Sequence, residues 1–575
     1  MRNAKKCLVF ILSAVIIFGT LSGCGSKSGS AASSSPFDLA VCLATEPGTI
    51  DPTLNSALDS GTMLQHFFEG LMKWTDDGKG NATLTFGQAK SMDKTINSDG
   101  TVTYTFKLRS DAKWSDGKPV TSGDFVYSWQ RLADHATGAS YSYQIDMVKG
   151  YDAIANGTPT GEKAKGENGS ETEVIKYADP STLGVSAPDD DTFVVTLTYD
   201  CPYFREICAF PATFPLRKDI ITSAGDKWTF DPSTYVSNGP YKLSEWIHNS
   251  HIKAVKNEYY YDVSKLGPAS ITFQLMDDAN AMYSAFRSGT LQFIEEVPSD
   301  EVTTLLASGD LKLAEYLGTS FVCFQNQKTP FNDERVREAF SLAIDRNYIV
   351  NNVTKTGEVP ADAYVPSGVS DVGGTGAKDF RTVGGGYYSV AAGDYTSNCK
   401  KAQELLAQAG YPDGKDFPAV EYLYGTDDRN KSLAEALQQM WKTALGVNVS
   451  LSNQDWATFG SNLQSGNYTI ASMVFTADFN DPISFLDLWR TGNGNNISQY
   501  SSSEYDTAID SAKTTPDASA RMKSLHSAEG ILMKDSAIAP LYFYTNMYML
   551  DKNVKGLYYS PLGYYFFSYC TKTAG

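Results

Sequence analysis

The sequence predicts an α/β protein built from more than one domain. Segments with the two-residue alternation of a strand and segments with the apolar spacing of a helix follow one another at short intervals. This alternation is typical of layered α/β folds, and it argues against a repeat protein or a coiled coil. The chain has 575 residues, which is more than a single hydrophobic core supports, so two or three domains are expected.

The clearest strand-to-helix step lies between residues 104 and 132. Residues 104–108 alternate as a strand, and Thr121 and Asp124 have the spacing of a capping box that opens a helix. Phe125 and Trp129 then fall on one helical face, together with Leu132. The pattern predicts a helix that packs this face on a core.

Two further units support the layered fold. Residues 433–440 carry an apolar helical stripe, Gly446 suits the left-handed end of a helix, and residues 447–451 alternate as a strand. Another helix is predicted to begin after Asn332 or Asp333. The first of these units is the helix-to-strand step of a wound sheet.

The N-terminus has the features of an exported lipoprotein. Basic residues precede an apolar run at residues 7–18, which is shorter than the roughly 20 residues needed to span a bilayer. The run ends in Leu-Ser-Gly-Cys, which resembles a bacterial lipobox with Cys24 as the acylated residue. We therefore predict a signal peptide over residues 1–23, a flexible tether over 24–36, and a lipid anchor on the extracytoplasmic face of the bacterial cell membrane.

The composition limits the classes of ligand and partner that the protein can have. The formal net charge of −18 disfavours nucleic acid, whose binding depends on basic patches. The 34 tyrosines either reflect the usage of the organism or line a wet cleft, where the ring packs and the hydroxyl stays hydrated. Cys201 and Cys208 are close enough to bridge across a turn, but reduced core thiols fit equally well.

No catalytic, metal or phosphate-binding motif is present in the sequence, so no cofactor and no metal are expected. His248 and His251 are predicted to be separate surface histidines, and Glu295 and Glu296 to lie in a solvated turn. The polar, glycine-containing segment 157–170 is predicted to be a surface loop. A glycosidase with scattered carboxylates remains an alternative, because its acid and its nucleophile need no local motif.

Several blocks of sequence keep a fixed order from residue 37 to the C-terminus. They are EPGTIDP (46–52), FEGL (68–71), KWSDG (113–117), SNGPY (237–241), PFND (330–333), AIDR (343–346), NQDW (453–456) and PLYFY (540–544). With these blocks the chain resembles the oligopeptide-binding proteins of ABC importers, in the peptide- and nickel-binding family 5 of extracytoplasmic solute-binding proteins. The resemblance implies a binding protein, not an enzyme, that works as a monomer with the permease subunits of its importer.

The resemblance also implies a periplasmic-binding-protein-like fold, with two lobes that enclose the ligand and an additional third domain. Lobe I would comprise residues 37–68, 197–316 and 545–575. The extra domain would cover residues 69–196, and lobe II residues 317–544. The chain would then cross between the lobes twice.

Members of the family hold an extended peptide by strand addition, which makes the same backbone hydrogen bonds whatever the peptide sequence. By position, the pairing segments would be Ser56-Ala57-Leu58 and Val474-Phe475-Thr476. Side-chain pockets would be lined by Phe475, Trp456 and Tyr141. Hydrated pockets of this kind adapt to many side chains.

Asp478 corresponds to the aspartate that holds the ligand's α-ammonium in this family. The alternative is a turn residue that caps the helix after Pro482. Two positions depart from the family pattern: Ser472 stands where some members carry an arginine for the peptide carboxylate, and Ser56 where a carboxylate can occur. Peptide length and ligand charge therefore stay open.

Other functions remain alternatives. Receptors for dipeptides, cell-wall peptides, glutathione or a chelated metal share the two lobes, and a peptide-pheromone sensor would have the same sequence features. A secreted hydrolase is the alternative from a different class.

Overall fold

A computed structural model of the protein describes residues 37–43, 46–165, 171–372 and 378–573. The predicted signal peptide, tether and Cys24 lie outside these residues. Among the described helices, none is both long and apolar enough to cross a membrane.

Strands occur from one end of the described residues to the other. In chain order they are β1 (Asp38–Cys42), β2 (Met72–Asp76), β3 (Ala82–Phe86), β4 (Ala89–Ile96), β5 (Val102–Leu108), β6 (Thr158–Lys165), β7 (Glu171–Lys176), β8 (Val185–Asp189), β9 (Thr192–Leu197), β10 (Tyr241–Ile247), β11 (His251–Lys256) and β12 (Ser270–Gln274). They continue with β13 (Phe293–Ile294), β14 (Leu311–Phe324), β15 (Val359–Pro360), β16 (Val420–Gly425), β17 (Val449–Gln454), β18 (Ile470–Thr476), β19 (Ile538–Leu550), β20 (Val554–Lys555), β21 (Tyr558–Tyr559), β22 (Tyr565–Phe566) and β23 (Thr571–Lys572).

The α-helices of the same residues alternate with these strands. They are α1 (Leu58–Phe67), α2 (Ser122–Ala133), α3 (Tyr151–Ala155), α4 (Phe204–Ile207), α5 (Lys218–Ala224), α6 (Ala279–Arg287), α7 (Val302–Ser308) and α8 (Glu334–Leu342). They continue with α9 (Arg346–Tyr348), α10 (Phe380–Gly384), α11 (Tyr395–Gln408), α12 (Asp428–Leu445), α13 (Trp456–Gln464), α14 (Ile483–Leu486), α15 (Ser503–Thr514) and α16 (Ala518–Lys534).

A mixed sheet of 11 strands organises the chain, in the order β10-β11-β12-β1-β13-β19-β14-β18-β16-β17, with β15 also paired to β19. β12, β1 and β13 run parallel to one another, as do β18, β16 and β17. Between these groups lie the two longest strands, β14 and β19, which pair antiparallel and shift register between Glu315 and Thr319. These two strands carry the chain from one half of the sheet to the other.

A separate sheet of four strands, in the order β4-β5-β9-β8, packs against α2. Phe125 and Trp129 on α2 meet Phe193 of β9, with ring centroids 5.7 Å and 5.3 Å apart. The Trp129 indole also donates a hydrogen bond to the Thr213 carbonyl (3.1 Å), which ties this sheet to the rest of the chain. Except for Leu197 at the end of β9, the sheet lies within residues 69–196, where an extra domain is predicted. The domain boundaries themselves remain a prediction.

The local elements agree with the sequence analysis at four places. Thr121 and Asp124 form both hydrogen bonds of the capping box at α2. Gly446 ends α12 in the left-handed region, with φ of 72°. Asp333 caps α8, where its side chain accepts a hydrogen bond from the Arg335 amide. The predicted strand at residues 104–108 is part of β5.

The predicted loop over residues 157–170 is wrong in its first half. Residues 158–165 form β6, which pairs with β7 as an antiparallel hairpin. Residues 158–164 of β6 are all exposed, so neither face of this part of the strand packs on a core. Its side chains therefore show no alternation of apolar and polar residues from which a strand could be predicted. Cys201 and Cys208, whose state the sequence leaves open, are buried free thiols.

Candidate ligand-binding cleft

The middle of the large sheet contains an unpaired strand edge. β18 pairs with β14 along its whole length, from Ile470 to Thr476. On its other side, β16 pairs only with Ile470 and Ala471. Among the described strands, none covers this side of residues 472–476, and the Val474 side chain is 37% exposed. An open backbone edge is the template that a further extended chain can pair with.

The other predicted pairing segment has a different geometry. Ser56 and Ala57 are exposed but belong to no strand, and Leu58 is the first residue of α1. The Asn55 side chain hydrogen-bonds both the carbonyl and the amide of Ala57, at 3.0 Å and 3.3 Å. These interactions hold the segment in an irregular, exposed conformation before the helix.

A row of aromatic side chains connects this segment to β18. Leu58 and Tyr316 both pack against Gly563, and each has an atom 2.7 Å from the position that a Cβ would take there. The Tyr316 ring meets Tyr544 with centroids 5.9 Å apart. Tyr544 and Thr476 in turn flank Gly318. Packed side chains therefore connect the start of α1 with the end of β18.

Asp478 lies two residues beyond β18 and is 9% exposed. Its Oδ2 accepts hydrogen bonds from the Tyr143 hydroxyl (2.9 Å) and from Nε2 of Gln144 (2.6 Å). In the part of the chain that the structure describes, no lysine or arginine pairs with this carboxylate. Burial raises the pKa of Asp478 to about 7, although the hydrogen bonds from Tyr143, Gln144 and Tyr141 lower it. The site is thus a buried carboxyl group that lacks a cation.

The hydrogen bonds separate the two interpretations of Asp478. The amide of Ile483 donates to Asp481 at 3.0 Å, so Asp481 caps the turn before α14. Asp478 instead receives side-chain donors from the segment 141–146, which is more than 330 residues away in sequence. A capping role alone does not account for this arrangement.

Several contacts hold the segments around Asp478 together. Nζ of Lys513 lies 2.7 Å from Asp146 and 2.7 Å from Asp487. The rings of Tyr203 and Phe479 stack at 4.2 Å and are nearly parallel. These contacts join residues that are predicted to lie in different domains, as a closed arrangement of the lobes would require.

A cavity of about 20 Å³ lies beside Asp478, enough for a single water molecule. Gln144 and Asp487 are among its lining residues. Oε1 of Gln144 and Oδ1 of Asp487 are both buried without a hydrogen-bond partner.

The predicted pocket residues occupy unequal positions. Trp456 is 73% exposed at the start of α13. Tyr141 is partly buried and packs on Phe210, with ring centroids 5.1 Å apart. Phe475 is partly buried, and its ring meets Phe485 at 5.3 Å in the core below the strand. Trp456 is therefore the most available of the three for a ligand side chain.

Sequence reasoning missed the donors to Asp478 and misjudged one pair of carboxylates. Tyr143, Gln144 and Lys513 reach the site only through the fold, and no local motif marks them.

Glu295 is not in a fully solvated turn, because it is partly buried and its pKa is raised well above the usual range by burial and by two neighbouring carboxylates. Glu296 is exposed, as expected.

The long strands shared by both halves of the sheet and the additional small sheet are consistent with a two-lobed solute-binding protein. The family model "Bacterial extracellular solute-binding proteins, family 5 Middle" matches residues 87–497. The chain belongs to this family, whose members are binding proteins and not enzymes. The predicted family and fold class are confirmed.

Characterised relatives match over most of their length. The chain is 35% identical to the periplasmic oligopeptide-binding protein OppA of Salmonella typhimurium over 516 residues, which is 89% of this chain and 88% of the relative. It is 32% identical to the dipeptide-binding protein DppE of Bacillus subtilis over 520 residues, which is 90% of this chain and 89% of the relative.

Solved structures of family members superpose on most of the chain. Haemophilus influenzae OppA in complex with the peptide RPPGFSPFR superposes with a TM-score of 0.81 at 28% identity, covering 93% of this chain and 99% of that chain. An unliganded open form of the murein tripeptide-binding protein MppA superposes with a TM-score of only 0.65 at 29% identity, covering 93% of this chain and 97% of that chain. At nearly equal identity and coverage, the chain therefore matches the peptide complex better than it matches the open form.

Proposed function

We propose that this chain is the lipid-anchored, peptide-binding component of an ABC importer. It holds a short peptide in extended form along the open edge of β18 and pairs the peptide's N-terminal ammonium with Asp478. The observation that carries the proposal is the buried carboxyl group without a cation, placed at the end of an unpaired strand edge. The names of the relatives as oligopeptide- and dipeptide-binding proteins support peptides as the ligand class.

Strand addition explains how one cleft accepts different sequences. The backbone groups of residues 472–476 can bond any extended peptide, because each residue offers the same amide and carbonyl. Exposed side chains such as Val474 and Trp456 then meet the ligand's side chains without prescribing them, and water fills the remaining space. The N-terminal ammonium sets the register.

Mass spectrometry of ligands released from denatured, freshly purified protein tests the proposal. We expect peptides with free N-termini, and calorimetry should then give saturable 1:1 binding of synthetic copies. Recovery of only dipeptides or cell-wall peptides would narrow the ligand class. A non-peptide solute, or steady turnover of the added peptide, would contradict the proposal.

Peptide affinity should depend on pH through Asp478. The ion pair needs an ionised carboxylate, so below the pKa of about 7 binding must release a proton and weaken about tenfold per pH unit. Above pH of about 8 the peptide's own α-ammonium loses its proton. Calorimetry should therefore give the tightest binding between about pH 7 and 8.

The variant Asp478→Asn tests whether Asp478 causes the loss of affinity at low pH, which we call the acid limb of the profile. Burial also raises the pKa values of Glu206 and Asp59 to about 7, so the profile alone does not identify the group. With asparagine at position 478 the acid limb should flatten. An unchanged limb would mean that another carboxyl group controls it.

Acylation of Cys24 should fix the protein to the membrane. The expectation rests on the lipobox-like residues 21–24, and two or more acyl chains suffice for stable attachment. Cys24→Ala should release the protein from membranes or leave an uncleaved precursor, as followed by fractionation and N-terminal mass. Unchanged, detergent-dependent membrane association of the variant, with a processed N-terminus elsewhere, would contradict acylation at this residue.

A further inference from the structure

The loop between β18 and α14, which we call the Asp478 loop (residues 477–482), is held by a distant segment of the chain. The amide of Asn480 donates a hydrogen bond to Oε2 of Glu206 at 2.7 Å. The ring of Phe479 stacks on Tyr203, with centroids 4.2 Å apart and an angle of 3° between the planes. Two neighbouring side chains therefore contact the two residues that directly follow Asp478.

Both of these contacts come from the short turn of helix α4. Tyr203 and Glu206 are three residues apart, so they are neighbours on one side of the turn. Phe204 and Ile207 lie on the other side and are both 0% exposed. The Phe204 ring packs on Tyr104 of β5, with centroids 4.7 Å apart. The turn is therefore anchored in the core beside the four-stranded sheet, and it supports the Asp478 loop from a fixed position.

The carboxylate of Glu206 has no other partner in the part of the chain that the structure describes. The Asn480 amide donates its one hydrogen bond there, and no lysine or arginine forms an ion pair with it. Burial raises the pKa of Glu206 to about 7, and the hydrogen bond from Asn480 opposes this effect. Burying a carboxylate costs free energy that a polar partner must offset. The contact with the Asp478 loop is the interaction that offsets it.

The side chain of Asn480 fixes the same loop to a different segment. Its Oδ1 accepts a hydrogen bond from the Ser370 amide at 2.8 Å. Ser370 and Asn480 both lie within residues 317–544, the predicted lobe II, whereas Glu206 lies within residues 197–316 of the predicted lobe I. The hydrogen bond between Glu206 and the loop therefore joins segments that are predicted to belong to different lobes.

We infer that Glu206 is a positioning residue for recognition of the ligand's N-terminal ammonium. Its carboxylate fixes the backbone two residues after Asp478 and thereby the place of the Asp478 carboxylate. The inference rests on the proposed function, because it assumes that Asp478 pairs with the ammonium. Binding groups must be held to within about 0.5 Å by the residues that support them. Without its acceptor, the loop amide loses the hydrogen bond that provides this support.

The test measures how strongly each variant distinguishes free from N-acetylated peptides. Calorimetry with alanine peptides of two to five residues gives the ratio of the two dissociation constants. Glu206→Ala removes the acceptor and should lower this ratio about tenfold. Glu206→Gln should keep most of the ratio, because its amide oxygen can accept the same hydrogen bond. Glu404→Ala, at an exposed position of α11, should leave the ratio unchanged.

A merely structural role would weaken both peptides equally and leave the ratio as it is. Thermal unfolding shows whether each variant is folded. Glu206→Leu removes the acceptor but fills most of the space, so it replaces the alanine variant if that protein does not fold.

The outcomes separate this inference from the proposed function. If the wild type distinguishes the two peptides and the alanine or leucine variant does so as strongly, the inference is wrong while the proposed function stands. If the glutamine variant loses the ratio as fully as the alanine variant, the hydrogen bond does not position Asp478, and the inference is overturned. If the wild type binds none of these peptides, or binds both forms equally, the proposed function is wrong and the inference falls with it.

Discussion

Replacing Asp478 with alanine is expected to weaken peptide binding by about 30-fold to several thousand-fold. Removing one partner of a buried, hydrogen-bonded ion pair costs about 2 to 5 kcal/mol, and each 1.4 kcal/mol is about tenfold in affinity. The neutral donors Tyr143 and Gln144 do not replace the missing charge. N-acetylation of the peptide removes the other partner and should cost the wild type a similar amount.

A double-mutant cycle gives the decisive measurement for this pair. Calorimetry on wild type and Asp478→Ala, each with free and acetylated peptide, supplies the four affinities. Two changes that destroy the same interaction must not add, so the variant should barely distinguish the two peptides. If it discriminates against the acetylated peptide as strongly as the wild type does, the ammonium binds elsewhere.

Replacing Lys513 with methionine is expected to weaken peptide binding by about 10- to 100-fold, because it destabilises the closed arrangement. Nζ of Lys513 bridges Asp146 and Asp487, and without it two partly buried carboxylates face each other. Breaking a fully buried pair costs about 3 to 5 kcal/mol; the partial exposure of this one lowers the expectation. Because Asp146 lies in the predicted extra domain and Asp487 in the predicted lobe II, the cost falls on closure.

Small-angle scattering and two further variants test this explanation. The wild-type radius of gyration should fall when peptide is added, and the Lys513→Met protein should require more peptide for the same change. Adding Asp146→Asn to Lys513→Met should restore part of the affinity, since it removes the repulsion. Lys523→Met removes an exposed lysine of α16 and should change nothing. Unchanged affinity of Lys513→Met would show that the bridge does not govern closure.

Features that depend on residues close together in the sequence are predicted correctly, whereas features without a local pattern are missed. The capping box of Thr121 and Asp124 and the end of α12 at Gly446 depend on neighbours within a few residues. Such features can be predicted from the sequence because residues so close along the chain interact whatever the rest of the fold. The hairpin that begins with β6 is missed, because polar side chains on both faces give it no apolar period.

The sequence by itself determined the layered α/β class and the family, since ordered blocks of residues and local periods carry that information. The role of Asp478, which the resemblance implies, stays a prediction. Only the tertiary structure decided which groups surround the carboxylate: Tyr143 and Gln144 lie 335 and 334 residues from Asp478. It also showed that Glu295 is partly buried beside Asp59 instead of solvated in a turn. Burial and the proximity of charges set these pKa values and partners, and both arise from chain segments that meet only after folding.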